Sequence, residues 1–319
     1  MDLITLSMPV YNVEPYIERA LLSALNQSYP QIEYIVVDDK GNDRSMDIVK
    51  NMIIAHPRGN AVRIIEHPTN IGTGATKNTA IDNAQGKYLY FMDSDDEITP
   101  DCIQKLYDAM IKNDVDLASG SNHSTNEIPF ESASNEVIVK KDKEQMLNLF
   151  DFIPTWNKLY KLSFLRTKNI RCVPYHTVED VYFTFQVAVK AQSYCIIPDI
   201  TYFHYTRDNS NSGGIWSEKL FKQFPQIFSD QLNLLRKENL DAFLRKKYKK
   251  KAFWFRVTIS RFALNSSASS FINQFLSFSY LNDKDTFSDT ILFLGYIISK
   301  MPLWGKILFI RFHHFIYSL

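Results

Sequence analysis

Short apolar runs alternate with segments of helical periodicity along the first two thirds of the chain. Leu3, Ile4, Leu6, Met8 and Val10 open it as a strand. Ile17, Leu21, Leu22 and Leu25 recur at helical spacing within 14–26, and Tyr34, Ile35, Val36 and Val37 form a second strand that ends on Asp38 and Asp39. The alternation continues with a helix over 45–55, a strand over 61–66, a helix over 76–84 and a strand over 88–92. Continuous apolar strands separated by helices predict an α/β fold with a mostly parallel sheet covered on both faces. Ligands of such sheets sit beyond the carboxyl ends of the strands. Here those ends carry Tyr11 and Asn12, then Asp38 and Asp39, then Asn70 with Gly72 and Gly74, then Asp93 to Asp96. The pattern therefore predicts polar loops converging on one crevice.

Farther along, a helix is expected over 103–113 and strands or loops over 116–119 and 136–139. The stretch from Gly120 to Ala133, rich in Ser, Asn, Thr and Glu, reads as a mobile surface loop. After Trp216 the pattern is helical, with 220–239 and 242–265 as long candidates. Charge changes at the same place: residues 1–215 hold 20 of the 36 Lys and Arg but 28 of the 35 Asp and Glu. The chain thus reads as an acidic α/β domain over 1–215 followed by a basic, aromatic-rich helical region over 216–319.

Cys102, Cys172 and Cys195 are too few and too scattered for a disulfide framework or a zinc ligand set. They read as core filler in a reducing, cytoplasmic setting. The N-terminus begins directly as a strand, so no export signal is expected.

Tyr88, Leu89, Tyr90, Phe91 and Met92 deliver Asp93, Ser94, Asp95 and Asp96 at a strand end. Carboxylates two apart with a serine between them can turn toward one hard divalent cation. Alternatively, the cluster is an acidic turn before the helix start at Thr99, Pro100 and Asp101.

Several separated motifs resemble the inverting nucleotide-sugar glycosyltransferases of family 2, which have the GT-A fold. They are Pro9, Val10, Tyr11, Asn12; then Val37, Asp38, Asp39 with Asp43 and Ser45; then Asn70, Gly72, Lys77, Asn78; and Gly86 through Asp96. Trp156 to Tyr160, Val178 to Phe183, and His204, Tyr205, Arg207, Asn209, Asn211, Ser212 follow in order. The resemblance covers about residues 3–215 and implies a GT-A domain that uses Mg²⁺ or Mn²⁺ and a nucleotide sugar, expected to be UDP-linked. Its acceptor would be a saccharide or lipid-linked glycan, and no nucleic-acid partner is expected.

Carried onto this sequence, the resemblance places Pro9, Val10, Tyr11, Asn12, Asn70 and Ser94 around the nucleotide, with Asp38 or Asp39 accepting from a uracil N3–H. Asp93 would face ribose and metal, and Asp95 would ligate the metal. His204 is either an imidazole ligand or a packed histidine beside Phe203 and Tyr205. Lys77 and Arg207 are candidate phosphate contacts, or surface ion-pair residues. Asp180 is the expected general base, with adjacent Glu179 able to do the same chemistry or to serve as a helix-start acid. Trp156, Asn157 and Asp96 are expected on the acceptor side, with a core role for Trp156 and a capping role for Asp96 as the alternatives.

Two positions depart from the family pattern: Lys40 stands where Gly is usual and Lys77 where Arg is usual. A dinucleotide-dependent oxidoreductase is disfavoured, because Tyr11, Asn12, Val13, Glu14 follow the first strand in place of a glycine-rich turn. A non-catalytic sugar- or nucleotide-binding module is the remaining alternative. Arg245 to Lys251, followed by Ala252, Phe253, Trp254 and Phe255, reads either as an interfacial helix for anionic lipid or as a solvated helix with a packed apolar side. The stretch 291–319 is broken by Lys300, Pro302, Lys306 and Arg311 and is not expected to cross a membrane, so peripheral association at the inner face of the plasma membrane is expected.

Overall fold

The computed structural model describes residues 1–124, 136–140, 142–146, 154–173, 179–205, 223–238, 240, 242–264, 276 and 290–317. They fall into two compact units, Met1–Ser212 and Gly213–Leu319.

The first unit is built on a sheet of nine strands among the described residues. β1 (Ile4–Val10), β2 (Ile32–Asp38), β3 (Val62–Glu66) and β4 (Tyr88–Phe91) lie parallel in the order β3-β2-β1-β4. β2 and β4 are buried throughout and β1 nearly so, which is why they read as unbroken apolar runs. β3 is the edge strand and is only half-buried, so it tolerates Arg63 and Glu66. The crossovers are α1 (Ile17–Leu25), α2 (Ser45–Ala55) and α3 (Thr73–Asn83). The strand order reverses between β1 and β4, and a crevice opens at such a switch point beyond the strand ends.

Beyond β4 the sheet becomes mixed, so it is parallel only in its first half. After β5 (Glu97–Ile98) and α4 (Cys102–Asn113) come β6 (Leu117–Ser124), β7 (Val137–Lys140), the short α5 (Lys143–Met146), β8 (Lys158–Lys161), α6 (Leu162–Thr167), α7 (Glu179–Lys190) and β9 (Ser193–His204). β8 runs antiparallel between β4 and β6, while β9 is parallel to β6 and antiparallel to β5 and β7. The expected loop from Gly120 begins in fact as sheet, since 120–124 belong to β6; residues 125–135 lie outside the described residues. The polar composition there misled because β6 is irregular, with register shifts against β9 at Ser119, Ser121 and Asn122. Gly120 is required at that irregularity, because a Cβ would stand 1.9 Å from the Thr201 hydroxyl.

The second unit contains α8 (Phe224–Lys237), α9 (Ala242–Leu264), α10 (Thr290–Lys300) and α11 (Leu303–Tyr317). α9 packs against each of the other three. In the basic run and the aromatics that follow it, Tyr248, Lys249 and Phe253 are buried, as a helix with a packed side requires. Among the described residues, no helix is long and apolar enough to cross a membrane.

Candidate functional site

The crevice is lined by the strand ends. Pro9 and Val10 finish β1, Tyr11 is exposed just beyond them, and Asn12 takes a left-handed φ of 51°. The Asn12 side-chain oxygen accepts from Asn42 N at 2.8 Å, linking the ends of β1 and β2. Asp38 and Asp39 are both buried, yet they differ in what they have left to offer. Asp39 accepts from His67 Nδ1 (2.8 Å), Ile71 N (3.0 Å) and Gly72 N (2.8 Å), so its carboxylate is spent on holding the loop after β3. Asp38 takes one short backbone bond, from Lys40 N at 2.8 Å, and keeps acceptor capacity. Of the two, Asp38 is the one that can still accept from a further donor. Asn70 lies exposed in the loop that Asp39 organises.

Lys40 explains its own oddity. Its φ is 55°, a conformation that favours glycine, and its ammonium reaches Glu66 at 3.0 Å and Asp38 at 3.8 Å.

At the end of β4, Asp93, Asp95 and Asp96 bring carboxylate oxygens within 4.8 Å of one another, with Ser94 buried between them. Burial and the neighbouring Asp96 and Asp95 push Asp93 well above the usual carboxylate range, against the pull of Lys77. Burial and the charge of Asp95 likewise push Asp96 up to about 7. Crowded, desolvated carboxylates of this kind are a donor set suited to a hard divalent cation. Asp96 also anchors the end of β9, where its oxygens accept from Tyr202 OH (2.7 Å) and Tyr205 N (2.9 Å). Both of its carboxylate oxygens are thus engaged with β9 and the residue that follows it. Arg19 closes this corner, with Nη2 on the Asp95 carbonyl (3.0 Å), Nε on Glu97 (2.9 Å) and its guanidinium 3.8 Å over the Tyr205 ring.

Trp156 stacks on Tyr202 (4.4 Å, 9°) and on His204 (5.5 Å, 13°), forming an aromatic layer beside the acidic cluster. Asn157 is placed differently from expectation. It is buried at φ 56°, its Nδ2 donates to the carbonyls of Gly120 and Ser121, and its Oδ1 accepts from Thr201 Oγ1. That amide ties β8 to β6 and β9 and has nothing left for an acceptor.

The first turn of α7 separates its two acids. Glu179 faces inward and is buried, accepting from Lys77 Nζ at 3.0 Å, while Asp180 keeps 23% of its side chain exposed and accepts from the same ammonium at 2.5 Å. Thr155 also grips Asp180, through N (3.3 Å) and Oγ1 (3.2 Å). Burial and Asp180 raise the Glu179 carboxyl, against Lys77. Burial by itself would lower Lys77, but Asp180, Glu179 and Asp93 more than reverse it. Lys77 thus lies within electrostatic reach of both the acidic cluster and α7. Arg207 lies outside the described residues.

Thr155, Tyr202 and Arg19 do not stand out in the sequence as site residues, while Tyr205 appears there only inside the motif that begins at His204, with no role given to its side chain. Of the first three, only Thr155 had an available signal, its adjacency to Trp156.

The sequence profile described as Glycosyl transferase family 2 matches residues 5–174. The chain is 41% identical over 121 residues to an uncharacterized glycosyltransferase of Haemophilus influenzae, covering 38% of this chain and 47% of that protein. It is 30% identical over 248 residues to glycosyltransferase GlyA of Streptococcus pneumoniae, covering 73% and 35%. With the poly(ribitol-phosphate) beta-glucosyltransferase of Bacillus spizizenii it shares 32% over 211 residues, covering 64% and 32%. The chain therefore spans between about a third and a half of the length of these curated relatives. The crystal structure of S. aureus TarS 1-349 in complex with UDP has a similar fold, with a TM-score of 0.72 at 18% identity over 95% of this chain and 89% of that one. The chain belongs to glycosyl transferase family 2, with a GT-A fold.

Proposed function

We propose that the protein is an inverting, metal-dependent glycosyltransferase that moves a sugar from a UDP-linked donor to a hydroxyl of a saccharide or lipid-linked saccharide in surface polysaccharide synthesis. The observation that carries this reading is the pairing, in one crevice, of a solvent-reaching carboxylate, Asp180, with the acidic cluster at the end of β4. Asp38 and Tyr11 take the base of the nucleotide, while Asp180 takes the proton of the acceptor hydroxyl. That oxygen attacks the anomeric carbon from the face opposite the diphosphate, the bond to the diphosphate breaks, and the configuration inverts. Glu179 is withdrawn from this chemistry by burial and by Lys77. Mg²⁺ or Mn²⁺ would be held by Asp93 and Asp95, with His204 the candidate imidazole ligand, and would neutralise charge on the departing diphosphate.

The donor and metal are supported by TarS 1-349, crystallised in complex with UDP-GlcNAc, and by a mannosyltransferase of Pyrobaculum calidifontis in complex with GDP-Man and Mn²⁺. The polysaccharide setting is supported by the names of relatives such as the poly(ribitol-phosphate) beta-glucosyltransferase. Calorimetry tests the donor site directly: UDP is expected to bind in the presence of Mn²⁺ and to lose most of that binding after chelation. Binding indifferent to metal would count against the proposal.

The C-terminal unit is proposed to rest on an anionic membrane at the cytoplasmic face. α10 exposes Phe293, Leu294 and Ile297 and ends on Lys300, α11 exposes Leu303, Leu308 and Arg311, and 290–317 contains no Asp or Glu. An apolar face rimmed by cations and free of acids matches anionic headgroups over acyl chains. The chain is expected to sediment with vesicles containing phosphatidylglycerol but not with pure phosphatidylcholine, and Leu294→Ser with Ile297→Ser is expected to abolish this. Equal sedimentation of both proteins would remove the face from that role.

A further inference from the structure

Lys77 reads in sequence as a phosphate contact, yet its ammonium is committed elsewhere. The side chain is 3% exposed, and Nζ lies 3.0 Å from Glu179 Oε1 and 2.5 Å from Asp180 Oδ1. Swinging it toward a phosphate would strand Glu179, a buried carboxylate, without its cation, and breaking a buried pair in this way is strongly unfavourable. The second grip on Asp180 comes from an element far away in sequence. Thr155 N donates to Oδ2 and Thr155 Oγ1 to Oδ1.

That grip is itself held rigid from β8. Tyr160 OH donates to the Thr155 carbonyl at 3.3 Å, and the buried Lys158 ammonium donates to the Pro154 carbonyl. The next residue, Trp156, is fixed by its stack on Tyr202, whose hydroxyl bonds Asp96. The turn 154–157 therefore joins the carboxylate on α7 to the acidic cluster at the end of β4.

We propose that Lys77 and Thr155 are positioning residues that orient Asp180 toward the acceptor hydroxyl, and that Lys77 does not serve the donor's phosphates. This rests on the reading of Asp180 as the base. A carboxylate in the first turn of a helix has several rotamers open to it, and the base must meet one hydroxyl within hydrogen-bond distance. Clamps from α3 and from the turn before β8 select one orientation.

The test uses the full chain with Mn²⁺ and the UDP-sugar that a donor screen shows to release UDP fastest. Lys77→Met is expected to lower kcat by about 10²-fold, the scale for a misplaced catalytic group. Thr155→Val, which keeps the shape and removes one of the two grips, is expected to lower kcat by about 10-fold, while Lys77→Arg and Thr155→Ser recover most of the rate. At saturating Mn²⁺, donor KM is expected to stay within about twofold in all four variants, because positioning of the base acts on the transition state alone.

On an Asp180→Asn background neither substitution is expected to have a further effect, since both act through that carboxylate. A rise of about 10-fold or more in donor KM for Lys77→Met at unchanged kcat would return Lys77 to the phosphates. Effects that multiply on the Asp180→Asn background would likewise overturn the proposal. If Lys77→Met does not fold, Thr155→Val and its serine counterpart decide alone. Wild-type activity in Asp180→Asn itself defeats the reading of the base, a failure distinct from that of the clamp.

Discussion

Replacing Asp180 by asparagine is expected to lower sugar transfer by about 10² to 10⁴-fold, the contribution of a well-placed general base. The substitution preserves volume, and an amide oxygen at the Oδ1 position still accepts from Lys77 and from the Thr155 hydroxyl. It loses the 3.3 Å bond from Thr155 N and the charge paired with Lys77, but Glu179 remains as the counter-ion of that ammonium, so the fold and the nucleotide end of the crevice are expected to remain intact. The loss should therefore fall in kcat with donor KM unchanged. Glu179→Gln offers the contrast. Glu179 is buried against Lys77, so its change reaches the acceptor only through the shared ammonium and should cost far less than the loss of the base. Steady-state release of UDP measures both, and equal losses in the two variants would show that the sites are not divided as proposed.

Replacing Asp95 by asparagine is expected to weaken Mn²⁺-dependent binding of UDP by about 10²-fold or more, since even an outer-shell partner of a metal ligand is worth 10 to 100-fold in affinity. Asp95 is one of the three carboxylates gathered at the end of β4, and its neighbours differ in what they hold. Asp96 is held by Tyr202 and Tyr205, so Asp96→Asn should first disturb the end of β9, and a lowered unfolding midpoint in denaturant is its expected signature. Asp93 lies deepest in the field of Lys77 and the other acids. In Asp95→Asn the loss of metal-dependent binding is the expected signature. Calorimetry with UDP, with and without Mn²⁺, together with denaturant unfolding, separates the two behaviours. Undiminished binding in Asp95→Asn would place the metal elsewhere.

Much of the crevice is legible from local pattern. A buried parallel strand needs apolar residues throughout, and the chain must turn polar where the strand leaves the sheet, so β1, β2 and β4 and the acids at their ends announce themselves. The sequence misses where the outcome depends on partners remote in the chain. Asp38 and Asp39 are adjacent and chemically alike, but only Asp39 meets the backbone of Ile71 and Gly72, thirty-odd residues away, and is spent there. Asn157 lies in a motif that points to an acceptor, but Gly120, Ser121 and Thr201 consume its amide. Lys77 carries the charge expected for a phosphate contact, yet its two carboxylate partners lie about a hundred residues on.

By itself the sequence determined the α/β architecture, the strand ends that gather the polar residues, and the family of the chain, because periodicity and short motifs are local properties of the backbone and its solvent exposure. The tertiary structure alone decided which of several equivalent side chains remain available to a ligand. A carboxylate or an ammonium forms a limited number of strong hydrogen bonds, and once burial hands them to distant protein groups that residue holds the fold together. Asp180 shows the other outcome: gripped by Lys77 and Thr155, its side chain still keeps 23% of its surface open to solvent.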